Sequence, residues 1–227
     1  MRPYYEADGV TIYHGDARDV LPRLAQQPRV AITDPVWPNS VFPGVADPAR
    51  LFAEAAAQLT VERLVVHLGC SSDPRFLLGV PQQLPFVRVC WLRYARPSYR
   101  GRILVGSDVA YVFGSIPPSR PGCHVLSGET VARNNKTKLQ HTGRGTGSSD
   151  DVDYSAMPHP CPRRYEHVAW LVGIYGEGSI IDPFMGTGTT LEAAKRAGFP
   201  CVGIDSEEAN CELAAERLQQ RVLDLAI

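Results

Sequence analysis

The sequence has no CxxC pair and no tight group of cysteine and histidine at zinc-ligand spacing, although it holds six cysteines, Cys70, Cys90, Cys123, Cys161, Cys201 and Cys211. Without that spacing a structural zinc site is not expected, and no metal is. With no signal-like N-terminus either, the scattered thiols read as reduced and intracellular. No apolar run approaches the roughly 18 residues of a membrane span, so the expected location is the cytoplasm, with no membrane partner. An excess of one charge is also missing: 23 Lys and Arg meet 24 Asp and Glu, a formal net charge of -1. A uniformly basic nucleic-acid binder is excluded, and any contact with a polyanion must come from a local patch.

What is present is a chain of 227 residues with 44% hydrophobic content, enough for one large core. The expected organisation is a single domain over 1–227 carrying one insertion. Short runs rich in Val and Ile, at 29–33, 63–69, 86–94, 109–114, 179–183 and 200–205, read as strands, several buried on both faces. Helical patterns lie between them at 48–59, 163–175, 190–198 and 206–226. Gly198 is placed to end one of these helices, and Ser206 with Glu207 and Glu208 to start another. Strands alternating with helices specify an α/β fold, with a mostly parallel sheet and helices on both faces. The exception is WLRYARPSYRGRILVGSDVAYVF, two strand-like runs joined by a Gly/Pro/Arg connection, which reads as an antiparallel hairpin at one sheet edge.

Residues 115–158 break the pattern, being rich in Gly, Ser, Pro, Thr and Asn without sustained periodicity. Within this insertion Arg133, Lys136, Lys138 and Arg144 cluster in RNNKTKLQHTGR with no acid. On composition alone the cluster is a solvated surface loop or a phosphate-contacting segment.

The segment 179–208, SIIDPFMGTGTTLEAAKRAGFPCVGIDSEE, places a strand, a turn with Gly186 and Gly188, a helix, a second strand and then Asp205. Glycines let backbone amides approach a ligand, the helix start favours an anionic group, and an acid at the end of the next strand suits ribose hydroxyls. That order specifies a nucleoside-containing cofactor. GxGxxG is missing, and Asp182 stands before the turn where a cationic amino group would meet it, which favours S-adenosylmethionine over a dinucleotide.

DPFMGTGTT resembles the cofactor motif of the DNA amino-methyltransferases, which methylate adenine N6 or cytosine N4, and TDPVW (33–37) is similar to their catalytic motif. The catalytic motif preceding the cofactor motif matches the class called beta. The resemblance implies a Rossmann-like methyltransferase fold and S-adenosyl-L-methionine as cofactor. Asp182, Pro183, Phe184, Gly186, Gly188, Thr189 and Asp205 would lie at the cofactor, Asp16 near its adenine, and His159 of the PHPCPRR stretch beside it.

It further implies base flipping, because a stacked base cannot present its exocyclic amine to an enzyme. Asp34 and the Pro35 carbonyl would accept hydrogen bonds from that amine, with Trp37 stacking on the base and Val36 completing the motif. Val36 stands where the family has a second Pro, and Trp37 where Tyr or Phe is commoner. Asp at the first position is more typical of adenine enzymes, so adenine N6 is favoured over cytosine N4. The resemblance touches 10–114 and 158–218 and leaves the insertion uncovered. In that class the uncovered span usually holds target recognition, which assigns Arg133, Lys136, Lys138 and Arg144 to DNA. DNA is the implied partner; a second copy of the chain and a cognate restriction enzyme are further partners this reading leaves open. The alternatives are a binding module built on the methyltransferase fold and an enzyme acting on RNA or on a protein amine. Pro160 and Cys161 resemble a cytosine C5 nucleophile pair, but the other motifs of that chemistry are missing.

Overall fold

The computed structural model describes residues 1–38, 44–119, 128–132 and 164–219. Its strands, in chain order, are β1 Tyr5–Ala7, β2 Val10–His14, β3 Val30–Thr33, β4 Arg63–Gly69, β5 Phe86–Arg100, β6 Ile103–Gly114, β7 Glu129–Ala132, β8 Ile180–Asp182 and β9 Cys201–Asp205. They form one sheet in the order β1-β2-β9-β8-β3-β4-β6-β5-β7. The five strands from β2 to β4 are mutually parallel, and β1 and β6 run antiparallel to them.

The central strands are apolar on both sides because both sides are covered. Every residue of β3 and β4 is buried. Successive side chains of a strand point to opposite faces, so Val30, Ile32 and Val65 enter one core while Ala31, Leu64, Val66 and Leu68 enter the other. The first core packs against α3 Tyr165–Tyr175, α4 Thr189–Arg196 and α5 Glu208–Gln219. The second packs against α1 Ala17–Val20, α2 Pro48–Ala56 and the 3-10 turn Pro74–Gly79.

The helix ends follow local chemistry. Asp47 caps α2 by accepting the Arg50 amide at 3.0 Å, with Pro48 in the first turn. That helix stops at Ala56 rather than reaching 59, because the amides of Gln58 and Leu59 bond three residues back, to Ala55 and Ala56, and tighten the chain out of the α geometry. Gly198 ends α4 as expected: its φ is +79°, and the amides of Gly198 and Phe199 bond the carbonyls of Lys195 and Ala194.

Two features differ from the sequence reading. The β5/β6 hairpin is not the sheet edge, since β7 pairs in parallel with Trp91–Tyr94 of β5 on its outer side. The 115–158 stretch thus contains a strand, Glu-Thr-Val-Ala, too short to stand out from its Gly/Ser-rich surroundings. At the opposite edge β1 and β2 form a hairpin through Asp8 (φ 51°) and Gly9 (φ 77°), the two left-handed residues that a tight Asp-Gly turn requires. Arg133, Lys136, Lys138, Arg144 and His159 lie outside the described residues.

The chain leaves β3 for β4 in one direction and β8 for β9 in the other, while β3 and β8 are neighbours. Their junction is therefore a topological switch point, where a crevice opens at the carboxyl ends of parallel strands.

Candidate active site

A cavity of about 280 Å³ lies at that crevice, lined by residues following β2, β3, β8 and β9. The stretch after β3 contributes Asp34, Pro35, Val36 and Trp37, and the turn after β8 contributes Pro183, Phe184, Met185, Gly186 and Thr187. Asp16, Asp182, Thr189 and Asp205 line it as well. Two motifs nearly 150 residues apart in sequence thus face one space, because β3 and β8 are hydrogen-bonded neighbours.

The join between them is a side-chain bond: the Thr33 hydroxyl donates to Asp182 Oδ1 at 2.8 Å. Asp182 also accepts the Phe184 amide at 3.1 Å, which folds the turn back toward the strand end. It is 2% exposed, and burial pushes its carboxyl up to about 7, against the bonds from Thr190, Thr33 and Phe184 that favour the anion. A carboxyl so placed is poised to ionise when a cation is set beside it.

Asp205, at the end of β9, orders both neighbouring turns. Its Oδ2 accepts the Gly186 amide at 2.9 Å, and its Oδ1 accepts the Glu207 amide at 2.9 Å and Asn210 Nδ2 at 3.0 Å. A ligand hydroxyl arriving there meets a carboxylate already fixed in place. Asp16 caps α1 through the Arg18 amide, and the Arg18 guanidinium grips its carboxylate at 2.6 Å while reaching Glu54 at 2.7 Å. The hydrogen bonds from Arg18 hold the Asp16 carboxyl below its usual range, so it faces the cavity as an anion.

Gly188 is not brought to the cavity wall. Its φ is +79°, and a Cβ there would stand 2.9 Å from the Ala214 Cβ, so it serves the close approach of α4 to α5. On the β3 side, Trp37 Nε1 donates to Asp34 Oδ1 at 2.8 Å.

The sequence reading did not single out His67, Val168, Leu171 or Asn210, which also line the cavity. His67 sits inside the fully buried β4, where a histidine in an apolar run carries no signal of function. Its Nε2 lies 3.4 Å from Asp108 Oδ2, and the Tyr94 hydroxyl donates to Asp108 Oδ1. Behind it, His167 Nε2 of α3 donates to the Arg93 carbonyl at 2.9 Å, and burial pulls its pKa down to about 4. No group of three or more His, Cys, Asp or Glu side chains suited to a metal occurs among the described residues. Nor, among them, is any helix long and apolar enough to cross a membrane.

The DNA methylase family matches residues 130–216, a span that begins inside the predicted insertion. The type II methyltransferase M.ScaI of Streptomyces caespitosus is 23% identical over 273 residues, covering 99% of this chain and 86% of the relative. Among solved structures, the cytosine-N4-specific PvuII DNA methyltransferase is similar at a TM-score of 0.71 and 13% identity, covering 98% of this chain and 90% of that one. The M1.HpyAVI-SAM complex is similar at a TM-score of 0.63 and 18% identity, covering 93% and 100%. The fold is the Rossmann-like methyltransferase fold, and the likenesses support an amino-methyltransferase class for this chain.

Proposed function

We propose that the chain transfers a methyl group from S-adenosyl-L-methionine to the exocyclic amine of a base flipped out of DNA, with adenine N6 as the favoured acceptor. The observation that carries this reading is the convergence of the Asp34–Trp37 stretch and the Asp182–Gly186 turn on one cavity across the β3/β8 junction.

The residues present fit the cofactor. Asp182, buried and easily ionised, suits the cationic amino group of the methionine part; Asp205, held by three donors, suits the ribose; Asp16 suits a donor on the adenine; Phe184 and Met185 supply apolar walls. Bound there, the cofactor supplies an electrophilic methyl group. The chain's own groups prepare the acceptor. Asp34 and the Pro35 carbonyl accept hydrogen bonds from the amine and orient its lone pair, and Trp37 offers a ring face on which a flipped base stacks. This chemistry asks for neither a thiol nor a metal.

DNA is met from the same side. Gly69, the last residue of β4, pairs with Asp108, so the part of the hairpin from 94 to 107 projects beyond the carboxyl ends of the parallel strands. Residues 93–107 hold four arginines and no acid, and Tyr99 at the tip is 78% exposed. By sequence, these arginines and Arg133, Lys136, Lys138 and Arg144 of the basic segment are two acid-free groups of cations that a near-neutral chain can offer to phosphates. Asp at the first catalytic position supports adenine, whereas the likeness to the cytosine-N4-specific PvuII enzyme supports cytosine N4 as the second reading.

The test is Asp34→Ala, measured for turnover on DNA and, separately, for cofactor binding by calorimetry. Turnover should fall to background with cofactor affinity essentially unchanged. A variant with near-normal turnover would remove Asp34 from the mechanism.

A further inference from the structure

The motif that TDPVW resembles usually ends in Tyr or Phe, and the structure shows what the tryptophan adds. Trp37 Nε1 donates to Asp34 Oδ1 at 2.8 Å, so the residue offered as a stacking surface also grips the acid three positions before it. Phe has no donor on its ring, and the Tyr hydroxyl lies at the far end of its ring; neither reproduces a donor at the indole nitrogen.

The indole is seated by residues of β4. Its six-membered ring crosses Gly69, where an added Cβ would stand 2.3 Å from Cζ3, 2.8 Å from Cη2 and 2.9 Å from Cε3. Any side chain at 69 would expel the ring from this seat. His67, two residues earlier and so on the same face of β4, packs against it with ring centroids 6.4 Å apart at 51°. His67 is in turn backed by Asp108 at 3.4 Å.

We propose that Trp37 is a positioning residue as well as a stacking one: its N–H, made possible by Gly69, fixes the Asp34 carboxylate in the orientation that receives the target amine. The assignment rests on the amine-transfer reading above. A carboxylate offers about four lone-pair sites, so one bond from the indole orients the group without exhausting its capacity to accept from the amine. What the latch removes is rotation of the Asp34 side chain, a freedom otherwise lost on the way to the transition state.

The decisive substitution replaces Trp37 by benzothienylalanine, which keeps the bicyclic shape and stacking face and removes only the N–H. The expected result is a kcat lowered roughly ten- to hundredfold, the range for a hydrogen bond to a charged group, with KM for DNA and cofactor affinity essentially unchanged. A variant with wild-type kcat overturns the latch. An independent readout needs no turnover: the Trp37 indole 1H–15N resonance, one of three tryptophan signals and assigned by its loss in Trp37→Phe. It should move in Asp34→Ala and in Gly69→Ala, and an unmoved resonance in both also overturns the proposal. If the unmodified chain forms no methylated base, the amine-transfer reading fails, while the resonance still decides whether the latch exists.

Discussion

With Asp182 at the methionine amino group, as proposed, cofactor affinity should depend on pH in a calculable way. The Asp182 carboxyl is raised from an ordinary 3.8 to about 7, with burial as the largest cause. At pH 5.5 only about 3% of the free protein would carry the anion, and at pH 7.0 about half. If the methionine amino group requires that anion, affinity for S-adenosylmethionine should rise roughly fifteenfold between these values, about 1.6 kcal/mol. The ligand's own amino group stays largely cationic across the interval, since α-amino groups titrate near 8. Titration calorimetry at the two pH values measures the ratio, and proton release on binding at pH 6 in buffers of different ionisation enthalpy gives a second measure. Methylthioadenosine, which lacks the amino and carboxyl groups of the methionine part, should bind with little pH dependence. Asp182→Asn should weaken S-adenosylmethionine and flatten its profile. A flat profile for S-adenosylmethionine with the wild-type chain, or equal slopes for the two ligands, would refute the placement of the amino group at Asp182.

Three other outcomes are expected. In stability against pH, Asp182 and His167 oppose one another: the raised Asp182 value contributes stability below about 4 that is lost as pH rises to about 7, and the lowered His167 value contributes stability above 6.5 that is lost as pH falls to about 4. Asp182→Asn should therefore leave the His167 effect exposed and lose about 2 kcal/mol between pH 7 and pH 4.5 in urea titrations; a variant no more acid-sensitive than wild type would contradict this. Gly203→Ala places a Cβ 2.4 Å from Met185 Sδ and 2.5 Å from Leu191 Cδ1, and should cost about 1–3 kcal/mol by overpacking while distorting the cofactor turn; unchanged thermal stability and cofactor affinity would argue against that packing. Replacing Arg133, Lys136 and Lys138 by Ala should weaken DNA binding and lower the log–log salt slope by about 2–3 if each meets a phosphate, whereas an unchanged slope would assign the segment to solvent.

The sequence disclosed the elements whose burial is symmetrical and whose ends carry chemical punctuation. β3, β4, β8 and β9 are apolar on both faces and stood out as continuous runs, and Gly198 marked a helix end through a conformation other residues avoid. The positions of Asp34 and Asp182 at the ends of apolar strands were legible because a carboxylate there is unusual in composition, whereas the roles proposed for them come from the family resemblance. The Thr33–Asp182 bond was not legible, because a hydrogen bond between neighbouring parallel strands depends on sheet order, which no local pattern encodes. β1 was missed although Asp8-Gly9 is a good hairpin signal, its strand being only three residues long. β7 was missed because four β-favouring residues sit among Gly and Ser, and its pairing with β5 moved the hairpin off the sheet edge. His67 carried no signal since burial in β4 looks the same for a core histidine and for one facing a cavity. Gly188 belongs by sequence to the cofactor motif, while its contact with Ala214 is a matter of helix packing visible only in three dimensions.

The most direct test of the central claim is to incubate the full chain with S-adenosylmethionine and unmethylated DNA, digest the DNA to nucleosides and identify the methylated product by mass spectrometry, with Asp34→Ala as the parallel control. N6-Methyladenine should form with the wild-type chain and not with the variant. N4-methylcytosine would keep the amine chemistry and overturn the choice of base. 5-Methylcytosine, or no methylated nucleoside from a chain that binds the cofactor, would contradict the account itself.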